Sequence, residues 1–288
     1  MFQPRFSRFV DVFQGNDIAS RSLSMTFPRS ETDLCLVVGH RRPDFPLWPG
    51  WRFATTTPEA QSDFHITTEV DDRLSDSLIG EYYHLFALSR HLQLAPGPSS
   101  IRIAQYRRLV VNAPLGLPAE NQPWTKIVST ESARSLDAFS LTMPGPTGFL
   151  ISTIHSVPTI LADYSSSHIA RDFFRFLSEV VDAGLLTDAE ATNAALLEGL
   201  IPAPSNGTFP VTDFISIMSL LEKAALRFMD NGFIQREGYQ RRSLGFCLER
   251  LNSFCLLRTL FARSIEFGAV QGHQLTFADG GSVPTGGQ

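Results

Sequence analysis

The chain has 288 residues, of which 43 % are hydrophobic and 18 % charged, with a formal net charge of −5. That length suffices for one large domain or two small ones, and the low charged fraction reserves much of the chain for a core. A mildly acidic chain has no overall basic field to hold DNA or RNA. No apolar run reaches the roughly 18 residues of a membrane span.

Cys35, Cys247 and Cys255 are widely spaced and form no CxxC. They read as reduced, buried thiols rather than as a zinc or redox motif. The N-terminus lacks a signal-peptide core, so the expected location is the cytoplasm. Residues 1–32 read as an extension. Phe2, Phe6, Phe9, Val10 and Phe13 recur at helical spacing. Such a stripe docks on the protein's own core, on a partner, or on a membrane surface as a peripheral contact. The oligomeric state is left open.

A domain over 33–265 follows. Leu34–Val38 reads as a buried strand, closed by Gly39 and His40. Three prolines make the next segment a loop, and 51–57, WRFATTT, fits a short strand. Residues 75–97 predict one helix, with Leu78, Tyr82, Leu85, Leu88 and Leu92 on a face and Pro96 near its end. IRIAQYRRLVV, 101–111, alternates as a strand. The Pro- and Gly-rich stretch 112–150 resists assignment, and GFLISTI, 148–154, is a strand. Four helices follow: 165–184 capped by serine, 187–200 with the Thr187/Glu190 capping box, 212–232 capped by Thr212, and 238–263. The chain closes on a tail, 266–288, disordered from Ala278. This predicts an α/β fold: a mixed sheet flanked by helices, with a mainly helical C-terminal half.

Two basic clusters stand at strand ends. Arg107 and Arg108 interrupt the 101–111 strand, and adjacent strand residues point to opposite faces. Only one of them can face a given pocket unless the strand ends there. His40-Arg41-Arg42 follows the first strand. Were the two strands parallel neighbours, both clusters would share one edge, where α/β domains build ligand sites. Arginine binds a diphosphate bidentately without a metal. The competing readings are solvated arginines and a charged loop.

Glu249 and Arg250 interrupt an apolar helix, so they are paired or face a site. His168 and Asp172, four apart, are a hydrogen-bonded pair or half of a metal site lacking a third ligand. Glu69-x-Asp71 is a weak relative of a metal-binding Asp-x-Asp. A divalent metal is therefore not favoured, and no other cofactor is expected. GxGxxG, GxxxxGK[ST], HExxH and GxSxG do not occur, which argues against dinucleotide, P-loop, zincin and serine-hydrolase chemistry.

Six short stretches come in an order that resembles a known domain family. They are VVGHRRP, YYHLFALSR, IRIAQYRRL, HIARDF, NGTFPVTDF and RRSLGFCLERL. The family is marked by a His-Tyr-Arg-Arg motif, and its members are known as capsular-polysaccharide (exopolysaccharide) glycosyltransferases, similar to GT-A enzymes. The likeness spans about residues 33–262, and its last motif is the most nearly intact.

The resemblance implies a GT-A-like sheet and transfer of a sugar from a nucleotide-sugar donor to a hydroxyl of a small molecule or glycan. By it, His40, Arg107 and Arg108 line the donor diphosphate in place of a metal, and Tyr106 packs beside them. Glu249 is the base that activates the acceptor, Asp72 a second base, and Arg250 orients Glu249 or binds phosphate. His84, Gln105, His168, Asp172 and Asn206 fall at motif positions that touch substrate. The sequence departs from the motifs where His84 replaces a Glu, Arg90 a Trp, Gln105 a His, and Asn206-Gly207-Thr208 an Asn-Met-Phe. Those departures leave a second reading open: the same fold binding a ligand or partner, or running another reaction. A third is an interaction protein that uses its Phe-rich N-terminus and helical half.

Overall fold

The computed structural model describes residues 33–43, 45–57, 60–94, 97–120 and 122–279. The Phe-rich N-terminal stripe and the tail beyond 279 lie outside them. In chain order the first elements are β1 (Leu34–Val38), β2 (Arg52–Thr55), β3 (Phe64–His65), α1 (Asp76–Ile79), α2 (Tyr82–Leu94), β4 (Ser100–Gln105) and β5 (Arg108–Val111). The middle supplies β6 (Leu117–Ala119), β7 (Gln122–Val128), α3 (Thr130–Arg134), α4 (Ala138–Leu141), β8 (Leu150–Ser152) and β9 (His155–Ser156). The last part holds α5 (Ile160–Ser167), α6 (Ala170–Asp182), α7 (Asp188–Leu196), β10 (Gly199–Leu200), β11 (Gly207–Pro210), α8 (Val211–Asn231), a 3-10 turn at Gly238–Arg242, α9 (Ser243–Ala262) and β12 (Gln271–Phe277).

The strands form a mixed sheet in the order β3-β2-β1-β4-β11-β8-β12-β7-β6, with β5 bridging β12 and β4. β1 lies parallel to β2 and to β4, with Val38 opposite Gln105. The pairings β4–β11, β11–β8, β8–β12, β12–β5 and β5–β4 close a ring of five strands. Every residue of β1 is buried, which is why it reads as an unbroken apolar run rather than an alternating one. Cys35 and Val37 join Phe45, Trp48, Trp51, Phe53, Leu275 and Phe277 in one cluster. The Trp48 indole N–H donates to the Ala133 carbonyl at 2.7 Å, satisfying the polar atom this burial would otherwise strand. Helix α8 packs on β4, β11, α2, α6 and α9. The three cysteines are buried and unbridged.

Several predicted elements take a different form. The strand expected over 101–111 is two strands: β4 turns through Tyr106 and Arg107 into antiparallel β5, pairing Gln105 with Arg108. The helix expected over 75–97 breaks at Gly80, whose φ of 60° no helix interior accepts. The helix expected over 165–184 breaks at His168, so the serines end α5 instead of capping α6. Helix α8 starts at Val211 on Pro210, not on a Thr212 cap. The Thr187/Glu190 capping box is present in full. β12 was not among the predicted elements. It lies within the expected tail 266–288 and runs between β7 and β8, and Ala278 and Asp279, where disorder was expected to begin, are bonded to Val128 and Thr130.

Arg102, in the middle of β4, is fully buried. Its guanidinium pairs with Asp33, donates to the Phe139 carbonyl at 2.7 Å, and lies 4.3 Å above the Phe139 ring. Removing it leaves Asp33 and a buried carbonyl without their donor. Arg102→Ala is expected to lower the unfolding free energy by about 3 kcal/mol or more, read by urea denaturation. The exposed Arg171→Ala should stay within about 0.5 kcal/mol of the parent.

Candidate active site

Parallel pairing of β1 and β4 carries both basic clusters to one edge of the sheet. Past Val38 come Gly39 and His40; past Gln105 come Tyr106, Arg107 and Arg108. All of these line one cavity of about 250 Å³. Its remaining walls are Asp76 of α1, Gly80 and Glu81 at the start of α2, and Arg242 just before α9. Because the strand ends at Gln105, the alternation that would have separated Arg107 from Arg108 no longer applies.

Tyr106 anchors the cluster. Its ring meets the His40 ring edge-on at 5.5 Å, with Arg41 and Arg107 at 4.6 and 5.2 Å from its centroid. These are cation–π distances. Burial pushes the Arg107 pKa below its ordinary value, and the Arg108 and Arg41 charges add to that. Arg107 is still charged at neutral pH. The Arg108 Nε is buried with no hydrogen-bond partner among the described residues. Like charges held together at a partly dry edge make an anion the group that relieves them.

Arg42 is spoken for: it grips Asp63 through both nitrogens at 3.1 and 2.7 Å. The opposite charges in the cavity are Asp76 and Glu81, and Glu81 is the one tied to the cluster. The Gln105 amide donates to one of its carboxylate oxygens at 2.7 Å, and the Arg242 guanidinium stands 3.8 Å from the other. Gly80 makes room for this, since a Cβ there would run into the Arg242 guanidinium.

Other sequence candidates fall elsewhere. Glu249 does not line the cavity; it pairs with Arg250, which also pairs with Asp163, each at 3.0 Å. Asp72 is exposed beside the Asp71–Arg73 pair and is likewise outside the cavity. Asp172 is tied to Arg236 at 2.7 Å. His168 lies beyond the start of the Asp172 helix and stacks on Phe246 at 4.0 Å. Asn206 is fully buried at the start of β11. In Glu69-x-Asp71, Asp71 is held well below the usual carboxylate range by its hydrogen bonds to Arg73. Among the described residues no group of three His, Cys, Asp or Glu side chains could hold a metal, and no helix is long and apolar enough to cross a membrane.

Asp76, Gly80, Glu81 and Arg242 were not singled out from sequence. Arg242 is the second arginine of the RRSLGF motif, which was the available signal. Gly80-Glu81 was readable only as a glycine inside a helical pattern.

His84 sits behind the cavity, fully buried. Its Nδ1 accepts from the Thr56 backbone N–H at 3.3 Å and lies 2.8 Å from the Thr56 hydroxyl, so the neutral ring carries its proton on Nε2.

In three-dimensional comparison the chain resembles the WbbM bifunctional glycosyltransferase in its apo structure. The TM-score is 0.62 at 11 % sequence identity. The match covers 86 % of this chain but only 46 % of that one, so the chain spans about half the length of that neighbour. The likeness establishes a glycosyltransferase-like fold. No family model and no curated protein matches the sequence.

Burial pushes the His84 pKa down from 6.5 to about 4, and the His40 charge acts in the same direction. Between those values the unfolded chain binds a proton that the folded chain refuses. Stability is therefore intact above pH 6.5 and falls as pH drops toward 4, by about 3 kcal/mol from this residue. Urea unfolding across that range should show the loss, and His84→Gln should flatten that part of the slope whatever its effect on absolute stability.

Proposed function

We propose that the chain is a GT-A-like sugar transferase of the His-Tyr-Arg-Arg type, acting on a nucleotide-sugar donor and a hydroxyl acceptor without requiring a metal. The observation that carries this reading is the shared edge: His40, Arg107, Arg108 and Arg242 around one cavity at the carboxyl ends of β1 and β4. In this reading the arginines bind the donor diphosphate and offset the charge that builds on it as the sugar leaves. Such preorganised electrostatics are usually the largest catalytic contribution. The cavity is slightly below the roughly 300 Å³ at which small-molecule sites begin. It suits the diphosphate, with nucleoside and sugar reaching out on either side. The glycosyltransferase-like fold supports the assignment; donor base, sugar and acceptor are undefined.

A second reading keeps the pocket and drops the transfer: the chain binds a phosphorylated ligand only. What favours it is that Glu249 and Asp72, the bases expected from sequence, do not line the cavity.

Calorimetric titration with UDP, GDP and CDP, with and without Mn²⁺, tests the pocket. At least one should bind equally well without metal. Arg107→Ala and Arg108→Ala should each weaken it about tenfold or more, the worth of a lost charge-assisted contact. No binding of any of the three overturns the transferase reading, and binding only with Mn²⁺ overturns the metal-free form of it.

A further inference from the structure

We propose that Glu81 and Arg242 exchange partners when the donor binds, and that the Glu81 carboxylate then takes the proton of the acceptor hydroxyl. This rests on the transferase reading above.

The geometry is that of a loose pair beside a tight one. Arg242 stands 3.8 Å from Glu81, well beyond the 2.7–2.9 Å of a strong charge-assisted bond. Its side chain is 47 % exposed, and apart from the Phe246 ring, 5.8 Å from the guanidinium, little holds it there. A nucleoside diphosphate offers more negative charge than one carboxylate, and Arg242 already lines the cavity with Arg107 and Arg108. Gly80, lacking a side chain, leaves the guanidinium free to swing past the start of α2.

Glu81, by contrast, stays put when Arg242 leaves. Gln105 holds its other oxygen at 2.7 Å, and an amide donates that bond at every pH. A histidine at position 105 would donate it only in one tautomer or when charged. The departure at Gln105 therefore has a use: it fixes a carboxylate without competing for its proton. Glu81 lines the cavity with the arginines, as neither Glu249 nor Asp72 does. The charged and titratable groups around it are Arg242, Arg107, Arg108, Asp76, His40, Tyr106 and the buried Tyr82.

The step balances within the site. The acceptor oxygen bonds to the anomeric carbon as its proton passes to Glu81. The bond from that carbon to the diphosphate oxygen breaks, and the electron pair leaves with the nucleoside diphosphate against Arg107, Arg108 and Arg242. The proton then passes to water.

A double-mutant cycle on the full chain tests this, titrating UDP and GDP by calorimetry. Glu81→Gln should bind the diphosphate about threefold tighter or more, because Arg242 no longer has a carboxylate to leave. Arg242→Gln should bind about tenfold weaker. In the Arg242→Gln background the gain from Glu81→Gln should vanish. Hydrolysis of UDP-glucose or GDP-mannose, with water as acceptor, should fall in Glu81→Gln despite the tighter binding. Unchanged or weaker binding by Glu81→Gln, or a gain that survives loss of Arg242, overturns the exchange. Hydrolysis at the parent rate in Glu81→Gln overturns the base, as does a parent chain that binds these donors and cleaves neither. If the parent binds no nucleoside diphosphate, the transferase reading falls first and takes this inference with it.

Discussion

The parallel ladder between β1 and β4 is the constraint on which the candidate site depends. Its register, with Val38 opposite Gln105, ends both strands at the same level. Two short basic loops, far apart in the chain, then open side by side. A slip of one residue would turn the side chains of one strand to the other face. The pairing of Arg102 on β4 with Asp33 at the entry to β1 holds the register against such a slip.

The β4–β5 hairpin shows two uses of arginine. Arg102 is sealed inside, neutralised by Asp33 and capped by the Phe139 carbonyl and ring. Arg107 and Arg108, a few residues later, are only half-buried and crowd each other. A buried guanidinium whose charge is matched by a carboxylate within the fold is structural. The three guanidiniums gathered at that edge, Arg107, Arg108 and Arg242, outnumber its two carboxylates, Asp76 and Glu81, and leave a net positive charge for a ligand to meet. Position relative to the strand end, rather than residue type, separates the two roles.

Much of this layout was legible in the sequence, in the places where a local signal coincided with the global one. The first strand is an apolar run closed by Gly39; the Thr187/Glu190 capping box marks its helix; the basic clusters mark the strand ends. The misreadings have physical causes. The Tyr106-Arg107 turn contains no Gly, Asn or Asp and keeps both residues at negative φ, so the β4–β5 hairpin looked like a continuous strand. Gly80 resembled a tolerated helix glycine, although its positive φ splits the helix and opens room for Arg242. Glu249 looked like a stranded charge in an apolar helix, and its partner turned out to be its own neighbour Arg250. The pairing of Glu81 with Gln105 and Arg242 is long-range and polar, and carries no periodic signature.

β12 lies against β7, β8 and β5, yet it is separated from β5 by more than half the chain. Until it arrives, the sheet has no way to close its ring, and three strands keep bare hydrogen-bonding edges. Such late, distant pairing is slow to form and exposes strand edges while it waits. During synthesis the sheet would therefore stay open until β12 had emerged. β12 would act as a latch, converting a sticky open sheet into a closed one. Shortening the chain from its C-terminal side would then affect solubility before it touched any residue of the cavity.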